Sequence, residues 1–126
     1  MVHFYLLVIR PVLEYAAPVW HHLLTKTQSG QMEAIQKRAT RLIHQYANML
    51  CLAQLSSLSS RREKLCRRFF NSITQPDSCL HTLLTPQRDP TIVTRLSAAA
   101  KYHRITTRTK KYQSFLSYAL SKFRAT

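Results

Sequence analysis

Apolar residues recur at helical spacing along much of this chain. Between Lys26 and Tyr46, Met32, Ile35, Ala39, Leu42, Ile43 and Tyr46 return at intervals of three and four. That spacing predicts a helix with one apolar stripe. Lys26, Lys37 and Arg41 fall on its opposite face, and Arg38 flanks the stripe. Thr25 and Gln28 stand in the T-x-x-Q order of a reciprocal capping box at its start. Glu33 precedes Lys37 by four residues, the favourable order for an exposed pair. Gly30 is the weak point, costing about 1 kcal/mol against Ala in a helix interior.

A second long helix is predicted from about Ser57 to Thr74, with Leu58, Leu65, Phe69 and Ile73 as its stripe. Ser57 is a candidate cap, and Ser60 with Glu63 offers a second capping box one turn later. Arg62 falls on the apolar side. Either its stem lies on the core while its head reaches water, or it meets a carboxylate, for which Glu14 is the candidate.

The segment from His3 to Trp20 is helical in pattern but apolar almost all round. Phe4, Leu7, Val8, Val12 and Tyr15 share one side, Leu6, Ile9 and Leu13 the other, and only Arg10 and Glu14 are polar between them. Such a helix is normally covered on both faces. Pro11 is expected to kink it and Pro18 to end or bend it before Trp20, itself read as a core residue. A short apolar piece, 48–55, is expected to pack over the helix before it. Residues 75–91 read as loop, with one helical turn over 79–84, and Ile92 to Tyr102 as a short helix. Lys101 to Lys111 reads as loop or extended chain. Tyr112, Phe115, Leu116, Ala119, Leu120 and Phe123 then form a terminal stripe that docks on the core. The resulting expectation is an all-α fold, a small irregular helical bundle built on two long amphipathic helices. It has a loop-rich C-terminal third and a short terminal helix. The expected division is a helical core over 1–74 and a basic, loop-rich tail over 75–126.

Charge changes the picture most. Nineteen Lys and Arg against five Asp and Glu give +14 over 126 residues, a field that attracts polyanions, nucleic acid first. One glycine leaves no phosphate-cradling loop of the Walker or Rossmann kind. Three cysteines without C-x-x-C spacing argue against a disulfide framework or zinc site and fit a reducing, intracellular compartment, nucleus or cytoplasm. Cys66 reads as a small core residue. No stretch reaches the roughly 20 apolar residues of a membrane span, and FYLLVI (4–9) lacks the flanks of a signal peptide.

Five stretches, in order, carry a resemblance to a known family. They are IRPVLEYAAPVWHHLLT (Ile9–Thr25), MEAIQKRATRLI (Met32–Ile43), SSLSSRREKLCRRFF (Ser56–Phe70), SCLHTLLTPQRDP (Ser78–Pro90) and RTKKYQSFLSYAL (Arg108–Leu120). Together they resemble the region downstream of the palm in reverse transcriptases of non-LTR (LINE, jockey-like) retrotransposons. The resemblance implies a thumb-like helical segment lying against a template–primer duplex. It also implies that the catalytic palm and fingers are missing partners, with the Y-x-D-D metal site upstream of Met1.

The residues present agree with that division of labour. Polymerase chemistry needs convergent carboxylates that clamp two metal ions, and Asp77 and Asp89 sit in a Pro-rich loop beside three scattered Glu. No H-E-x-x-H, Cys/His ligand spacing or G-x-S-x-G is present. The expectation is therefore no enzyme activity on its own, no cofactor, no metal, no membrane and no small-molecule substrate. What remains is a phosphate-facing surface in three clusters: Lys37, Arg38 and Arg41; Arg61, Arg62, Lys64, Arg67 and Arg68; and Arg104, Arg108, Lys110 and Lys111. All but Arg62 are the candidate contacts to RNA or DNA backbone. If the two long helices pack antiparallel by their stripes, their charged faces flank a common ridge suited to backbone tracking without base reading. Two other readings stay open on the sequence: a helical protein-interaction module, and an orphan product with no function of its own.

Overall fold

The computed structural model describes residues 2–44, 56–95, 100–110 and 113–123. No strand occurs among the described residues, and the fold is all-α. The chain forms two compact units, Met1–Lys64 and Leu65–Thr126.

In the first unit, the apolar opening segment is broken rather than merely kinked. Helix α1 (Val2–Phe4) passes into a π-helical turn, Tyr5–Ile9, and then α2 (Arg10–Glu14). The Arg10 N–H bonds to the Tyr5 carbonyl five residues back. Pro11 gives the reason, since its ring would strike the carbonyl four residues back in a regular α-helix. The chain then turns at Tyr15 and Ala16, and Ala16 is left-handed at φ 49°. That conformation costs an L-residue about 1–2 kcal/mol. The Trp20 indole N–H closes the turn on the Tyr15 carbonyl at 2.7 Å. Pro18 therefore lies in the first turn of a new helix, α3 (Ala17–Trp20), where its missing N–H is no loss.

A 3₁₀ turn (His21–Leu23) leads to α4 (Lys26–His44). Its capping box forms as expected: the Gln28 N–H donates to Thr25 Oγ1 at 3.2 Å, and the Thr25 N–H to Gln28 Oε1 at 3.0 Å. Helix α5 (Leu58–Ile73) is capped by Ser57, whose Oγ accepts the Ser60 N–H at 3.2 Å. The alternative box on Ser60 and Glu63 is not used, because Ser60 already lies inside the helix.

Both stripes are rotated from their expected positions. On α4 the covered face holds Ser29, Met32, Glu33, Gln36 and Ile43, while Ile35 and Leu42 stay exposed. On α5 the buried positions are Leu58, Arg62, Cys66, Phe70 and Ile73, and Phe69 remains 37% exposed. The reason lies in what faces α4 across the first unit. Gln36 Nε2 donates to the Ser56 carbonyl, Glu33 accepts the Ser59 N–H, and Arg62 Nη2 donates to Ser29 Oγ. The numbers fall on one side as they rise on the other, so the pairing is antiparallel. Polar partners, not the aliphatic stripe, set its register.

The second unit has an apolar core. Cys66, Phe70, Tyr102, Ala119, Leu120 and Phe123 are buried together, with Leu84, Phe115 and Tyr118 packed against them. A 3₁₀ turn, His81–Leu83, interrupts the Pro-rich loop. Of the helix expected over Ile92 to Tyr102, α6 (Pro90–Arg95) forms the start, residues 96–99 lie outside the described residues, and residues 100–102 are not helical. Tyr102 instead pairs with Gln87 in an isolated antiparallel bridge, and the Arg88 N–H bonds to the Lys101 carbonyl at 2.9 Å. Burial of the Tyr102 ring in the core, at 3% exposure, outweighs local helical preference. Cys66 and the terminal stripe take their expected places, the stripe on α7 (Phe115–Lys122), which Ser114 caps. The short piece expected over 48–55, Tyr46 and Tyr112 lie outside the described residues.

Candidate nucleic-acid interface

Helix α4 presents Lys37, Arg38 and Arg41 on its solvent side, all exposed. Their positions follow from the buried face on Glu33, Gln36 and Ile43, which leaves these three outward. Lys37 and Arg41 are one turn apart, a rise of about 6 Å. Two nucleotide steps cover a similar rise along a duplex axis, at about 3.4 Å each.

On α5 the cationic positions divide in role. Lys64, Arg67 and Arg68 are exposed. Arg61, expected among the phosphate contacts, is not available in the same way. Its Nε and Nη2 donate to the two carboxylate oxygens of Glu14, the second at 3.0 Å. Glu14 also accepts from Arg10 Nε at 3.4 Å. Burial pushes the Glu14 carboxyl up, but the hydrogen bonds and charge of Arg61, then of Arg10, outweigh it and hold the group below its ordinary 4.5. The same bond to Glu14 raises Arg61. Arg61 is thus a structural partner, and it takes the carboxylate that the sequence pattern offers to Arg62.

Arg62 is fully buried, so its head does not reach water. Its guanidinium lies 5.7 Å from the centre of the half-buried Trp20 ring, in cation–π contact, and it bonds Ser29 at 3.1 Å. Glu33, expected to pair with Lys37, instead accepts the Ser59 N–H at 2.7 Å, placing a carboxylate on the N-terminus of α5. No spacing rule could have found these partners, because they lie 26 to 47 residues apart.

The common ridge does not form within the first unit. The antiparallel register sets Lys64 opposite residue 28, about 14 Å along the helix axis from Lys37. The two basic positions therefore mark separate points along the pair.

In the second unit, Arg67 lies with its guanidinium 5.4 Å from the Phe123 ring centre while remaining exposed. The segment carrying Arg104, Arg108 and Lys110 is non-helical through residue 109 and exposed at all three. Burial of Tyr102 anchors its start, and Thr85 Oγ1 holds it by donating to the His103 carbonyl at 2.9 Å. Lys111 lies outside the described residues.

Among the described residues, Lys37, Arg38, Arg41, Lys64, Arg68, Arg104, Arg108 and Lys110 form no ion pair. The Arg10 and Arg61 salt bridges converge on Glu14. Among the same residues no three His, Cys, Asp or Glu lie close enough to share a metal ion. No helix there is long and apolar enough to cross a membrane. Comparison with models of known protein families, with curated proteins and with solved structures finds no match for this chain.

Proposed function

We propose that this chain binds nucleic-acid backbone without regard to sequence, as the thumb-like part of a non-LTR reverse transcriptase lies against template and primer. The observation that carries the reading is the set of eight exposed cations that form no ion pair among the described residues. Glu14 and Glu33 are occupied in joining helices, so they do not neutralise that set. The +14 charge and the ordered resemblance to the post-palm region point the same way. Cations spread over helical and non-helical segments suit phosphate contact, which positions a protein but carries no base information. On this reading the catalytic palm belongs to another part of the polymerase, and the chain contributes grip rather than chemistry.

Fluorescence anisotropy with two unrelated duplexes and an RNA–DNA hybrid, from 50 to 200 mM salt, tests it. The expected result is similar affinity for both duplex sequences. Log K should fall linearly with log salt, with a slope no steeper than about −7 if all eight cations meet phosphates. Absence of binding at 50 mM salt, or binding indifferent to salt, contradicts the proposal.

A further inference from the structure

The opening segment of the first unit carries an apolar face that nothing in its own unit covers. Phe4 is 61% exposed, Leu7 74%, Val8 48%, Val12 72% and Tyr15 79%. The other side of the same segment is engaged: Tyr5 is buried, Leu6, Ile9 and Leu13 are half-buried, and Glu14 is held by Arg61. We propose that this outward face is a self-association surface, on which a second copy of the chain docks.

Area supports that occupant. The five side chains, with exposed Pro11 among them, leave about 700 Å² in water, close to the roughly 800 Å² that each partner contributes to a standard stable interface. Chemistry supports it as well. The face bears no charge, so it has no sign with which to select an acidic or basic partner. It is equally suited to another copy of itself, as a two-fold interface requires.

Charge opposes the association without preventing it. The first 64 residues hold eight Lys and Arg against three Glu, the less lopsided half of the chain. Salt screens that repulsion within about 8 Å at physiological strength. Self-association therefore strengthens as salt rises, the reverse of backbone binding to nucleic acid.

Sedimentation of the whole chain from 1 to 100 µM, at 0.15 and 0.5 M NaCl, tests the proposal. The expected result is a species of twice 14.7 kDa whose dissociation constant falls with salt. Leu7→Asp with Val12→Asp should raise that constant at least 100-fold, with circular dichroism unchanged because both side chains are already mostly in water. The milder pair Leu7→Ala with Val12→Ala should raise it at least tenfold. Ile35→Asp with Leu42→Asp, on α4, should leave it alone. A 14.7 kDa species at 100 µM in both salts overturns the proposal. So does association that survives the Leu7 and Val12 variants, or open-ended growth beyond two copies.

Discussion

Residues 1–64 bury Arg62 and Gln36 along with Tyr5, Ala17, Ile43 and Leu58, whereas residues 65–126 bury Cys66, Phe70, Ile73, Tyr102, Ala119, Leu120 and Phe123, with the small Ser117 as the one buried polar side chain among those described. The two halves are thus stabilised by different physics. In the first, register comes from directed bonds, with Glu14 to Arg61, Glu33 to the Ser59 N–H and Arg62 to Ser29, while several large apolar side chains stay outside. In the second, aromatic rings fill a core: Phe70 and Phe123 lie 6.1 Å apart, and Tyr118 meets Phe123 edge-on at 5.8 Å. A helix pair held by polar bonds specifies which residues face each other but gains less from burying surface. An aromatic core gains much from burial and depends little on pH.

The largest effect should come from emptying the aromatic core. Phe70→Ala is expected to cost about 3–5 kcal/mol, read by urea unfolding. Because the loss is one of packing, it should persist at 0.5 M salt and between pH 4 and 7. A cost below about 1 kcal/mol would mean that the second unit does not depend on that core.

Next comes the ion pair. Glu14→Gln should cost about 1–2 kcal/mol at pH 7, allowing for the third of Arg61 that water still reaches. The folded carboxyl lies below its ordinary 4.5, so its stabilisation is complete above that value and is lost as pH falls through the depressed one. The wild type should therefore weaken in acid by more than the variant does. Parallel stability curves for the two proteins between pH 2 and 6 would count against a structural role for Glu14.

The smallest effect should be a gain. Nothing lies within 4 Å of a Cβ placed on Gly30, and the residue is helical and exposed. Gly30→Ala should add up to about 1 kcal/mol, seen as a rise in the unfolding midpoint. A loss would show that α4 is not a continuous helix there.

These contrasts explain what the sequence made legible. The two long helices, the Thr25–Gln28 box, the Ser57 cap and the helical spacing of the terminal stripe all rest on neighbours a few residues apart. Local periodicity reports such features directly. The face turned inward does not follow from local pattern when polar groups decide it. Gln36 displaces Ile35 because Ser56 offers a carbonyl; Arg62 stands on the side that spacing assigns it, but Trp20 and Ser29 receive it there in place of the expected carboxylate or water. The candidate surface follows the same rule. Exposure of Lys37, Arg38 and Arg41 could be read from helical spacing. The withdrawal of Arg61 into a pair with a residue 47 positions away could not.

The claim at the centre is that exposed cations with no ion pair among the described residues meet phosphates directly. The most direct test is the salt slope of duplex binding in wild type against a variant with Lys37→Ala, Arg38→Ala and Arg41→Ala together. Each phosphate left without its cation should make the slope about 0.9 shallower on duplex DNA. The triple variant should therefore be up to about 2.7 shallower, with affinity reduced equally for unrelated sequences. An unchanged slope in a variant that remains folded would contradict the account.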